Sequence, residues 1–167
     1  MAREYLDAAR AALGQAVAGL DAEAIARPIP GRWSIAEILE HLTLAFTVNA
    51  AVLEKALASG ELRARAPSVT ASLLRMLVLD IGYFPRVKAP EMTRPTRGIP
   101  ADQSVSAILA ALARLDATLT RVSDRFGDGV PVANHPYFAG LTVPQWRKFH
   151  WRHTVHHMKQ VGERRRL

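Results

Sequence analysis

At 167 residues, 49% hydrophobic and 22% charged, the chain has the length and balance of one ordinary soluble domain with a substantial core. It contains no cysteine, which excludes disulfides, thiolate metal sites and a protein thiol nucleophile, and makes a reducing cytoplasm the expected compartment. The formal net charge of +7 admits an anionic substrate, nucleic acid or simply a basic surface, and the only tight basic run, Arg164 to Arg166, reads as a solvated end.

The amino terminus is charged and amphipathic, with no apolar signal segment behind it. A first helix is predicted from about Arg3 to Leu20, with Leu6, Ala9, Leu13, Val17 and Leu20 on one stripe. Pro28-Ile29-Pro30-Gly31 then breaks the chain. The second helix opens on a capping box, Ser34 with Glu37 three residues later, and Trp33 and Ile38 have the spacing of a hydrophobic staple. It runs to about Ala58 and stops at Ser59-Gly60.

Residues 61–101 form a long connection carrying Pro67, Pro85, Pro90, Pro95 and Pro100, with a short helix expected over Val69 to Asp80. A connection of that length shapes a site or crosses a bundle. Val69 to Phe84 reads as the most hydrophobic stretch, but Arg75 and Asp80 interrupt it and it is too short to span a bilayer, so no membrane association is expected. A third helix is predicted over about Asp102 to Val122, with Val105, Ile108, Leu109, Leu112, Leu115 and Leu119 inward. Gly127 to Gly140 reads as a loop. The fourth helix repeats the capping device with Thr142 and Gln145, has Pro144 in its first turn, and places Leu141 to staple onto Trp146. With no repeat and no useful strand alternation, residues 1–167 read as a single all-α domain: a four-helix bundle whose Pro-rich crossover, between the second and third helices, carries a short extra helix.

The fourth helix places Trp146, His150, His153, His157 and Gln160 along its inward seam, where leucines would be expected. Each imidazole has a donor and an acceptor that need partners, so such a seam is not simply buried dry. His153 and His157 form an H-x-x-x-H pair one turn apart, a chelating spacing for a divalent metal. His41 lies at the edge of the second helix's apolar arc. Alone it would read as a core histidine, but if the second and fourth helices are neighbours it completes a three-imidazole site with open coordination positions. Imidazole suits zinc, nickel, iron and copper alike.

His150, one turn before His153, is a pocket residue, an alternative ligand or a core histidine, with the pocket and core roles favoured. His156 points about 100° away from His157 and is not a ligand to the same ion. His135, before Pro136, shapes a turn. Gln160 can orient a ligand or cover the seam, and Glu37 is a candidate acceptor behind His41, although its capping role competes. No paired carboxylates, serine-histidine-aspartate order, glycine-rich phosphate loop or H-E-x-x-H motif appears. If the chain is an enzyme, a metal carries the chemistry.

Three segments, in order along the chain, carry a family resemblance: Gly31-Arg32-Trp33-Ser34 leading into Glu37-Ile38-Leu39-Glu40-His41-Leu42; His135-Pro136-Tyr137-Phe138-Ala139-Gly140-Leu141-Thr142; and Trp146 through His153-Thr154-Val155-His156-His157-Met158-Lys159-Gln160. By these the chain resembles the DinB/YfiT-like superfamily. The resemblance implies a four-helix bundle of unusual connectivity, often a homodimer. It also implies a divalent metal, commonly zinc or nickel, held by the residues standing here as His41, His153 and His157. Relatives of this kind include transferases and isomerases that use a low-molecular-weight thiol.

Two functions follow as expectations. One is a metal-dependent thiol S-transferase or related small-molecule enzyme, with hydrolysis its nearest variant. The other is a non-catalytic bundle that binds metal or nucleic acid. No recognition helix or aromatic stacking signature supports nucleic acid, which ranks below a small-molecule substrate.

Overall fold

The computed structural model describes residues 4–62, 64–85 and 88–167. Four long helices make the bundle: α1 (Glu4–Val17), α3 (Ile35–Ser59), α5 (Ser104–Phe126) and α6 (Val143–Arg164). Two short ones decorate it, α2 (Ala22–Ala26) and α4 (Val69–Arg75), the latter continuing as a π-helical turn over Met76–Ile81. A small antiparallel hairpin, β1 (Ala133–His135) and β2 (Ala139–Leu141), precedes α6, with Ala133 opposite Leu141 and His135 opposite Ala139. The all-α class stands. The predicted first helix begins at Arg3, which lies outside the described residues. The expected loop over Gly127 to Gly140 is corrected in part: it holds this hairpin, whose three-residue strands are too short to show an alternation in sequence.

The helices pair as α3 with α5 and α1 with α6, and α3 also touches α6. The core between them is built from Leu6, Leu13, Ile38, Leu42, Phe46, Leu53, Ile108, Leu112, Leu115, Leu119 and Trp146, all fully buried. Of the predicted α5 stripe, Leu109 falls outside: it is exposed, and Ala111 and Val122 face inward in its place. The 3.6-residue period sweeps the inward face past it.

The helix starts are those the sequence announces. Ser34 N donates to Glu37 Oε2 at 2.8 Å and Glu37 N to Ser34 Oγ at 3.2 Å, a reciprocal box that fixes the first turn of α3. Gly60, left-handed at φ 70°, ends α3 by donating to the Ala56 carbonyl. On α6, Thr142 N donates to Gln145 Oε1 at 3.1 Å. Gly140 is required by close approach: a Cβ there would stand 3.0 Å from the Arg65 carbonyl, to which its own N–H donates.

Among the described residues, the helix apolar and long enough to cross a membrane by length and composition is α3, with a window of mean hydropathy 1.3, of which 61% is buried inside the protein. Its apolarity is that of a helix touched on several sides by neighbours. The carboxyl-terminal arginines are a solvated end only in part: Arg165 and Arg166 are exposed, but Arg164 is not. Arg164 is buried and donates from Nε to the Trp33 carbonyl at 3.1 Å, and Arg165 Nη1 donates to the Ala16 carbonyl at 2.8 Å.

What pins the crossover against the bundle is Glu40, a buried carboxylate on α3. Its Oε1 accepts from Thr96 N (3.2 Å), Thr96 Oγ1 (3.1 Å) and Gly98 N (3.0 Å), and its Oε2 from Arg97 N (2.9 Å). Arg97 sits in the left-handed region at φ 60°, which turns three successive N–H groups toward one carboxylate. A Glu40→Gln variant replaces one acceptor oxygen with a donor facing donors. It is expected to lose about 2 kcal/mol of stability by urea denaturation, with faster hydrogen exchange at the Thr96, Arg97 and Gly98 amides.

Candidate metal centre

Because α3 lies against α6, His41 meets His153 and His157 across the interface. Their ligating atoms all lie within 4.8 Å of one another. His41 Nε2 is 3.3 Å from His153 Nε2, and His157 Nε2 is 3.1 Å from the same atom. Two nitrogens bound tetrahedrally to one zinc ion stand about 3.3 Å apart, given Zn–N bonds of about 2.0–2.1 Å.

The protons decide whether these nitrogens can hold an ion. His41 Nδ1 lies 2.7 Å from the Thr93 carbonyl oxygen, which can only accept, so Nδ1 carries the hydrogen and the neutral ring presents a bare lone pair at Nε2. His157 Nδ1 lies 2.8 Å from Gln160 Oε1, while Gln160 Nε2 faces His156 Nε2 at 3.3 Å, an amide orientation assigned from the network. His157 Nε2 is therefore bare as well. Two lone pairs face His153 Nε2, and one proton there can serve only one of them. A divalent cation at the point of convergence satisfies all three nitrogens, so the donor set fits a metal.

Burial keeps every ring in the neutral, ligating form. It pushes His41 below the ordinary histidine range against an opposing pull from the Thr93 hydrogen bond, and His157 down to about 3 with help from neighbouring His41. His153 is pushed well below by burial and then by His157 and His41. Protein surrounds His153 closely, and its remaining exposure is toward the cavity that it lines. Its Nδ1 has no partner among the described residues; its ring is held by stacking on Phe84 (5.8 Å) and Phe149 (5.3 Å). Trp33 covers the other two, 5.1 Å from His41 and 6.5 Å from His157.

The remaining candidates separate. Gln160 orients His157. Glu37 does not support His41, a correction: its carboxylate is taken by the Ser34 amide and, at 3.2 Å, by Arg97 Nε, and the acceptor behind His41 is the Thr93 carbonyl. A backbone carbonyl 52 residues away leaves no sequence signal. His150 is a fully buried core residue packed on Phe46, Trp146 and Phe149, with Asn49 Nδ2 3.4 Å from its Nε2. Asn49 itself stands two turns along α3 from His41, a polar residue within that helix's apolar arc. His156 is turned away from the convergence point and stacks on Phe84 at 4.7 Å.

The triad forms part of the wall of a cavity of about 720 Å³ between α3, α4, α6, the crossover and the hairpin. Apolar and aromatic groups dominate its lining, including Trp33, Val78, Phe84, Phe138 and Phe149. Arg32, Lys88 and Arg164 contribute positive charge, and among the described residues no aspartate or glutamate lines it.

A family model described as DinB superfamily matches residues 5–161. No curated protein and no solved structure matches the chain.

Two outcomes test this centre. Removing the support behind His157 with Gln160→Leu is expected to weaken zinc or cobalt binding by about 10–100-fold in a competition titration while far-UV circular dichroism stays unchanged. The second is acid sensitivity of the metal-free protein. Burial lowers His135 and His150, neither of them in the triad, from the ordinary 6.5 to about 3. The unfolded chain binds those protons first, so stability is whole above pH 6.5 and drains as pH falls toward 3. About 2 kcal/mol per ring is expected to disappear between pH 7 and pH 5. A urea midpoint that stays flat over that interval would contradict it.

Proposed function

The chain belongs to the DinB superfamily, a metal-binding family, and from that footing we propose that it is a divalent-metal-dependent enzyme joining a low-molecular-weight thiol to an electrophilic small molecule, with His41, His153 and His157 holding the ion. The observation that carries this reading is the convergence of neutral imidazole nitrogens on the wall of a ligand-sized cavity. A zinc or nickel ion held there would lower the pKa of a bound thiol.

The chain's own residues supply the rest. With no cysteine anywhere in the sequence, a sulfur nucleophile has to arrive with a ligand. With three protein nitrogens as the ligand set, coordination positions stay open for it, as in catalytic rather than structural zinc sites. The described lining offers no carboxylate as an alternative nucleophile or base. The sulfur would bond to the electrophilic carbon, the leaving group would depart with its electron pair, and the thiol proton would pass to water. Phe84, Phe149 and Trp33 pack around the three imidazoles and hold the ligand set in place.

The test uses tag-free protein loaded with zinc or nickel, assayed against a panel of small thiols and electrophiles. A metal-dependent rate is expected that His153→Ala reduces to background. Equal rates for the two proteins would refute the proposal. Absence of turnover together with a large stability loss on chelation would identify the ion as structural.

A further inference from the structure

His135 is not part of the triad, yet it is one of the most constrained side chains in the molecule. It is 7% exposed, lines the cavity, and stacks on Phe138 at 4.4 Å with Phe149 and Trp146 edge-on at 4.5 and 5.6 Å. Phe149 touches both His135 and His153, so the two imidazoles are one ring apart.

Its proton is placed without ambiguity. The Tyr137 backbone N–H, which can only donate, points at His135 Nδ1 at 3.2 Å. Nδ1 is therefore the acceptor and the neutral ring carries its hydrogen on Nε2. That Nε2–H makes no hydrogen bond within the described residues. The ring lines the cavity and this N–H is not sealed from it, so a ligand bound there can complete it in place of water. Ala139, paired with His135 in the hairpin register, lies in the left-handed region at φ 56°, which disfavours a residue with a Cβ.

We propose that His135 is the hydrogen-bond donor that fixes an oxyanion of the small molecule bound in this cavity, a carboxylate or phosphate carried on an apolar body. The lining matches both halves of that ligand. Phe84, Phe138 and Phe149 receive the body, and Arg32 and Lys88 favour the charge, with no carboxylate among the described lining residues; Arg164 also lines the cavity but is paired with Glu163 at 3.2 Å. A neutral donor suits this place, because it orients an anion within an aromatic enclosure without itself being a buried charge. The proposal deepens the functional reading above, since it concerns the substrate of the same cavity, but its test needs neither turnover nor metal.

Metal-free protein is titrated calorimetrically with 2-naphthoate, 1-naphthyl phosphate and the uncharged 2-naphthamide. At least one oxyanion is expected to bind about tenfold or more tightly than the amide, and the stronger of the two identifies the head group. His135→Phe, which keeps the ring and loses the donor, is expected to erase that preference, whereas His135→Gln, which keeps an N–H donor, retains most of it. If the phenylalanine variant does not fold, His135→Met fills the site without a donor and takes its place. The proposal is overturned if the amide binds as tightly as both anions, if none of the probes binds, or if the preference survives loss of the donor. Oxyanion preference without thiol-dependent turnover would leave His135 in this role and remove the transferase reading.

Discussion

The carbonyl oxygen of Thr93 accepts a hydrogen bond from His41 Nδ1–H, and that one hydrogen bond decides what the opposite nitrogen can do. With Nδ1 occupied as a donor, Nε2 is a bare lone pair aimed at the interface between α3 and α6. The carbonyl is there because the crossover is held there. Glu40, the residue beside His41 on α3, gathers the amides of Thr96, Arg97 and Gly98 a few residues beyond Thr93. One helix thus supplies both the ligand and the anchor of the segment that orients it. The capping box at Ser34 and Glu37 fixes where that helix begins, one and two turns before His41. Tolerances of fractions of an ångström at a metal are met by this sort of short, over-determined linkage.

On α6 the same seam serves two purposes at two depths. His150 lies in the core with Asn49 beside it, while His153 and His157 lie on the wall of the cavity. All are kept neutral by the surrounding apolar groups, a cost in solvation that becomes useful where a lone pair must be free of protons. Gln160 and Thr93 perform equivalent tasks for His157 and His41, one as a side chain and one as backbone. His153 has no such partner among the described residues and is held by stacked phenyl rings instead. The aromatic groups between α4, the hairpin and α6 therefore have a mechanical function besides lining the cavity.

Much of this is legible in local chemistry. Ser34 with Glu37, Gly60, and Thr142 with Gln145 mark helix ends because they satisfy backbone groups only a few residues away. The H-x-x-x-H pair is legible for the same reason, since a helical turn alone places His153 above His157. Gln160, three residues beyond His157, belongs to the same local set. The short hairpin, the inward turn of Arg164 and the exposure of Leu109 escape such reading, because each depends on what a distant segment does.

The sequence by itself determined the four bundle helices, the capped starts of α3 and α6 and the identity of the histidines that can chelate, because helical periodicity and capping act over one or two turns. Only the tertiary structure decided that α3 lies against α6, that a backbone carbonyl rather than Glu37 stands behind His41, and that His150 belongs to the core. It also decided that His135, which reads in sequence as a turn former, opens onto the cavity with its Nε2–H unpaired. The physical reason is common to all four. An imidazole's role is set by which partner takes its second nitrogen, and here that partner comes either from a distant part of the chain or, for His135 Nε2, from no described residue at all.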